Sequence, residues 1–345
     1  MKEKPIMTKA QHKSKKRNLL VIGILSMLIV VAFIISMNTG YIKLTPLEVV
    51  RTLFGLGTEK QHLILFEFRL PRIIISVLVG MGLAVSGCVL QGISRNALAD
   101  PGILGINAGA GLAVMLFISF FPSTTATPVF LLPILAFTGA GIAAVIIYSL
   151  AYKRHEGITP MRLLLTGVAV AAGISSAMII LTLRLSPENY QFVATWLAGS
   201  IWGSNWKFVL SLLPWIIILI PFVYSKARVL NVLNLGDLTA TGLGASIEKE
   251  RRILLAAAVG LAGASVSVSG GIGFVGLIGP HVARQLVGSK HQILIPAAAL
   301  IGGLLVLVAD TIGRWILQPS EIPAGIVVAV IGAPYFLYLL SRIKD

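Results

Sequence analysis

Charged side chains set among apolar residues are the first candidates for chemistry, because an ionisable group in a membrane-like stretch is expensive unless it has a task or a partner. Arg69-Leu-Pro-Arg72 places two guanidinium groups one helical turn apart, and Asp310 and Arg314 stand four apart on one helical face. A guanidinium binds a carboxylate through a planar fork, so the chemistry open to Arg69, Arg72 and Arg314 is ionic recognition. Spacing alone equally allows arginines that snorkel to a lipid boundary and a plain i,i+4 pair. A second polar run, Gln91-Gly-Ile-Ser-Arg-Asn-Ala-Leu-Ala-Asp-Pro-Gly-Ile-Leu-Gly105 with Asn107, Gly109 and Gly111 behind it, breaks the apolar pattern. It reads either as a turn with Asp100 before Pro101 at a helix start or as a turn that also lines a permeation path. Irregular backbone at membrane depth is tolerated only where protein or a cavity covers it. Gln91, Asn96 and Asn107 are the pathway candidates.

Nothing in the chain is arranged for catalysis. The histidines at 12, 62, 155, 281 and 291 have no metal-ligand spacing, no Ser/His/Asp set can be assembled, and no G-x-x-x-x-G-K-[ST] phosphate cradle is present. The sequence therefore predicts no catalytic residue, metal or cofactor, and any ATP used must be bound by another chain. The single cysteine, Cys88, has no internal disulfide partner and reads as a packed small side chain.

The elements that must hold these residues follow from composition. Of 345 residues, 56% are hydrophobic and 12% charged, with a mean hydropathy of +0.91, against about 25% charged in ordinary soluble chains. This is the arithmetic of an all-α polytopic membrane protein without a large extramembrane domain. Hydropathy gives ten candidate spans, near 19–37, 70–92, 103–121, 129–152, 161–183, 206–224, 253–270, 273–288, 293–313 and 322–340. Gln191 to Gly203 is too short to span and reads as an interfacial helix; Gly273 to Gly288 is kept as a short, irregular span. The first apolar run is longer than a secretory signal's and lacks a good cleavage site after it, so it reads as an uncleaved helix behind a basic tail over 1–18. A single transmembrane domain over 19–345 follows. With both termini in the cytoplasm, 20 of the 28 Lys and Arg residues fall inside and 8 outside. That asymmetry explains the net charge of +15 without nucleic acid.

Glycine is frequent in the spans, as at Gly80, Gly82, Gly87, Gly92, Gly139 and Gly141, where small residues let helices approach closely. Val79-Gly80 and Val259-Gly260 lie in spans of opposite direction, as an inverted repeat of four helices requires. The longest cytoplasmic loop contains Leu230-Asn-Val-Leu-Asn-Leu-Gly-Asp-Leu-Thr-Ala-Thr-Gly-Leu-Gly244. That is too apolar for an ordinary loop. It predicts two short helices, with Gly236 and Gly242 easing the turn, Asp237 capping the second helix, and Leu235, Leu238 and Leu243 presented to a partner.

Taken in order, Arg69-Leu-Pro-Arg72, Gly87-x-x-x-Gln91 leading to Asn96-Ala-Leu-Ala-Asp-Pro-Gly-Ile-Leu-Gly105, Leu235-Gly-Asp through Gly242-Leu-Gly244, Gly273-Phe-Val-Gly-Leu-Ile-Gly-Pro-His281 with Arg284, and Gly332-Ala-Pro334 resemble the FecCD family. The likeness runs from about residue 20 to 340; Ala97 departs from it, where the family usually has Pro. Its members are permease subunits of bacterial ABC importers for ferric siderophores, haem and cobalamin. The resemblance implies a ten-helix permease in the bacterial plasma membrane that forms a homo- or heterodimer and docks two cytoplasmic ATPase subunits and one external binding protein. Arg69, Arg72 and Arg314 then look like the outer arginines that pair with acidic residues of the binding protein. The loop from about Asn231 to Gly244, with Leu235, Gly236, Asp237, Leu238, Thr241, Gly242, Leu243 and Gly244, looks like the coupling helices in the ATPase cleft. Ferric siderophore is the expected cargo, with cobalamin or haem as the alternative. A secondary transporter would need titratable groups near the midplane, whereas the acidic residues here sit at span ends; a scaffold protein would need neither the rim nor the loop.

Overall fold

The computed structural model describes residues 9–40, 42, 44–121, 131–154 and 157–342, with side chains from residue 16 onward. Residues 1–8 of the expected basic tail, His155, and the side chain of His12 lie outside the described residues. Among the described residues all regular structure is helical, save one isolated bridge between Lys153 and Gly157. The chain opens with α1 (Lys9–Asn38), then α2 (Pro46–Leu53) and α3 (Glu59–His62), which runs through a π-helical turn (Leu63–Arg69) into α4 (Leu70–Ser94). Next come α5 (Ile106–Phe120), α6 (Leu131–Ala151), α7 (Pro160–Thr182), α8 (Pro187–Leu197) and α9 (Trp206–Ser225). The pair α10 (Ala227–Leu233) and α11 (Asp237–Gly242) precedes α12 (Ile247–Ser269), α13 (Val275–Val287), α14 (His291–Ile316) and α15 (Ala324–Arg342).

Among the described residues, eight runs are long and apolar enough to cross a membrane, the continuous rod 59–94 counting as one. Each of the ten expected spans coincides with a helix. The two outside the eight, α5 with 15 residues and α13 with 13, are short for a shared reason: each begins behind a left-handed residue, Gly105 at φ 71° and Phe274 at φ 64°, so irregular backbone replaces their first turns. The helix α8 has 11 residues, begins at Pro187 behind a Ser186 cap, and is too short to span.

Pro71 stands in the first turn of α4, which continues without a break from a rod that begins at Glu59. Proline lacks an N–H and crowds the carbonyl four residues back; the π-helical turn, with Leu70 N–H bonded to Leu65 O, absorbs this change of register. Two capping boxes, Thr45 with Glu48 and Thr58 with Gln61, fix α2 and α3.

The core is centred on α4, which packs against α9, α12, α13 and α14 and buries Val79, Leu83, Val85 and Val89 completely or nearly so. Neighbour relations recur: α4 packs on α13 and α14, α12 packs on α5 and α6, α5 pairs with α6 as α13 does with α14, and α4 meets α12. The four-helix repeat is thus visible in the packing. Its two glycine marks are unequal. A Cβ on Gly80 would lie 2.1 Å from Gly302 O, helix backbone on helix backbone, whereas one on Gly260 would meet side chains alone, the tip of Leu219 and the ring of Trp215. Gly139 likewise packs on Gly109 while Gly141 faces open space.

Candidate functional site

At the end of the bundle where α4 begins and α14 ends, three guanidinium groups converge. Arg72 grips Asp310 with Nε and a terminal nitrogen at 2.9 and 2.8 Å, and its other terminal nitrogen donates to Glu321 at 2.7 Å. Arg314 donates through Nε to the second Asp310 oxygen at 3.1 Å, to Thr39 O at 2.9 Å, and to Ser36 Oγ. Arg69 donates to the carbonyls of Met37 and Ile42. The i,i+4 pair expected of Asp310 and Arg314 is present, but Asp310, 1% exposed, also takes the arginine of another helix. All three arginines are buried or nearly so and bonded to partners within the chain. Glu321, 32% exposed, is the most accessible member. A cleft of about 590 Å³ opens beside them, lined by Asn38, Thr39, Gly40, Trp315 and Gln318 among others.

At the opposite end, α10 and α11 form the expected pair of short helices. Gly236 between them has φ 100° and Gly244 behind them φ 82°; Gly242 has ordinary helical backbone and open space around it. The left-handed positions are therefore Gly236 and Gly244, not Gly242. Leu235, Leu238 and Leu243 are 60%, 92% and 63% exposed, and Thr241 Oγ1 only bonds Asp237 O. Asp237 does not cap α11, whose N-cap is Gly236 with no side-chain bond. Its carboxylate instead meets Arg251 and Arg95. Neither arginine was singled out by spacing, nor was His291, buried at the start of α14 against Asn231.

The turn between α4 and α5 folds back into protein, with Ala99, Asp100, Pro101 and Leu104 buried. Asp100 accepts from Gly102 N–H at 2.7 Å and lies at Gly276 against the first turn of α13, whose cap residue Phe274 supplies no side-chain acceptor. Burial pushes this carboxyl up to about 6, against the pull of the Gly102 donor. The turn fits only because position 276 is Gly: a Cβ there would lie 2.6 Å from Pro101 and 2.8 Å from the Asp100 carboxylate. Gln91, buried, donates to Gly276 O at 3.3 Å and accepts from Arg284 at 3.1 Å. Asn107 lies near Gly102 and Gly271 with its Oδ1 unbonded. Asn96 accepts from Leu98 N–H and lines a cleft of about 550 Å³ with Thr159, Met161, His281 and Leu339. The three pathway candidates are therefore not gathered on one cavity.

An all-helical polytopic chain with an ionic cluster at one end and a leucine-bearing helix pair at the other has the build of a membrane transport subunit. The model of the FecCD transport family matches residues 28–342, and the chain belongs to that family. It is 53% identical over 94% of its length to the iron(3+)-hydroxamate import system permease protein FhuG of Bacillus subtilis, covering 97% of that protein. It is 46% identical over 96% of its length to the Fe(3+)-citrate import system permease protein YfmE of the same organism, covering 98% of it. A solved structure described as an inward-facing conformation of a metal-chelate type ABC transporter superposes with a TM-score of 0.81 at 30% identity, over 94% of this chain and 99% of that one.

Proposed function

We propose that this chain is the permease subunit of an ATP-driven importer that moves a ferric hydroxamate siderophore, delivered by an external binding protein, across the bacterial plasma membrane. The observation that carries the reading is the 53% identity along 94% of the chain to an iron-hydroxamate permease. Two chains would form the pathway, with α10 and α11 contacting an ATPase subunit in the cytoplasm, where both termini also lie. The exposed leucines support that contact, since apolar side chains left bare in an otherwise cytoplasmic loop mark a protein surface waiting for cover.

Docking of the binding protein is assigned to the rim of Arg69, Arg72 and Arg314. Their partners within the chain hold the guanidinium groups in fixed orientation, and an incoming carboxylate would reach Arg72 by taking the place of Glu321, the exposed partner of that guanidinium. Deleting the gene should abolish uptake of iron-55 trihydroxamate, and the gene restored in trans should recover it; unchanged uptake, or a loss confined to ferric citrate, haem or cobalamin, refutes the cargo. Arg72→Glu should weaken docking, with an acid-to-base change in the binding protein recovering part of it. Docking that survives reversal of all three charges would make the cluster purely structural.

A further inference from the structure

The coupling pair is attached to the rest of the chain unevenly. Helix α10 buries Ala227, Leu230 and Leu233, and Asn231 fastens it to α14: its Oδ1 accepts the His291 backbone N–H at 3.0 Å, and its amide donates to Gln292 at 2.8 Å. Helix α11 buries only Ala240. What else holds α11 is Asp237, whose carboxylate receives Arg251 of α12 at 2.8 and 3.2 Å and Arg95, at the end of α4, at 3.0 Å. Arg251 is 10% exposed and also donates to Ile158 O ahead of α7 at 3.3 Å. Arg95 reaches the loop because it closes α4 in a left-handed conformation, φ 51°. One carboxylate thus takes cations from two different spans, while the leucines on either side of it point away from the chain.

We propose that Asp237 is a positioning residue: held by Arg95 and Arg251, it fastens α11 to α4 and α12, so that a displacement imposed on the leucine face is passed to both spans. The proposal rests on the reading of α10 and α11 as the ATPase contact. Charge-assisted bonds suit this task because they are directional and stronger than neutral ones, and a joint made by side chains of separate elements is a physical route for coupling between distant sites. A merely stabilising network would show itself as lost protein, not as lost transmission.

The test uses the whole transporter in proteoliposomes, with its ATPase subunits and binding protein, and iron-55 trihydroxamate as cargo. Arg251→Gln and Arg95→Gln should leave ATPase co-purification and basal hydrolysis unchanged, while cargo moved per ATP falls about tenfold for Arg251→Gln, which removes the cation bonded twice to Asp237, and less for the more exposed Arg95. Arg251→Lys, which keeps a cation beside Asp237, should retain most of the ratio. Wild-type cargo per ATP in both Gln variants, loss strictly proportional to folded protein, or a loss in Arg251→Lys equal to that in Arg251→Gln overturns the proposal. Leu238→Asp separates the two levels: if the ATPase still co-purifies, the contact reading fails, whatever the arginine variants do.

Discussion

A single carboxylate, Asp310, sits between two guanidinium groups with 1% of its side chain exposed. Removing one partner from a buried ionic group costs about 3 to 5 kcal/mol, because the remaining charge is left desolvated. Asp310→Asn should therefore cut the folded yield and the thermal midpoint of the detergent-solubilised protein sharply. Glu321→Gln, on the exposed side of the same cluster, should change stability by about 1 kcal/mol or less. Asp100 gives a prediction in pH. Burial raises its carboxyl from an ordinary value near 4 to about 6, so the folded state holds this proton more tightly than the unfolded chain. The stabilising contribution is complete below about pH 4 and is lost as pH rises through about 6. Melts of wild type minus Asp100→Asn should show that falling slope; a flat or rising difference would mean that the carboxylate is not desolvated. Sequence spacing found the arginines and Asp100, but not Glu321, which lies 249 residues from Arg72, nor Arg95 and Arg251 around Asp237. Ion pairs between elements leave no local periodicity to read.

At the scale of elements, the coupling pair separates two glycines that look alike in sequence. Gly236, at φ 100°, permits a turn that a β-branched residue resists, whereas Gly242 has helical backbone and nothing within reach of an added Cβ. Gly236→Val should distort the pair and lower transport with the chain still in the membrane. Gly242→Val should leave this fold intact, so that any transport loss it causes, scored as cargo per ATP, reports the partner's side of the contact. Equal structural damage in both, read from protease sensitivity of the loop, would contradict the assignment. The ten helices were legible from hydropathy because each apolar run exceeds or nearly reaches the span length. The π-helical turn ahead of Pro71 was not legible, because proline at a helix start and proline behind such a turn share one local signature. The motifs Thr45-x-x-Glu48 and Thr58-x-x-Gln61 were a readable sign of α2 and α3 that hydropathy alone passes over.

At the scale of the molecule, the parity of ten spans predicts that cysteines placed at Ser123 and Lys344, both outside the described residues, label from the external and cytoplasmic faces respectively in intact cells; labelling of both from one face would reject that orientation. The α4 and α14 pair carries a further consequence. Their backbones touch at Gly80 and Gly302, and Arg72 and Asp310 lie eight residues from that contact on either helix, about 12 Å along the axis at 1.5 Å per residue. Two rods pinned at two separated points cannot scissor about either one. Helices α4 and α14 therefore form a strut through the bundle, and a hinge for alternating exposure has to be sought in peripheral helices such as α7, which buries only Leu163 and Gly167.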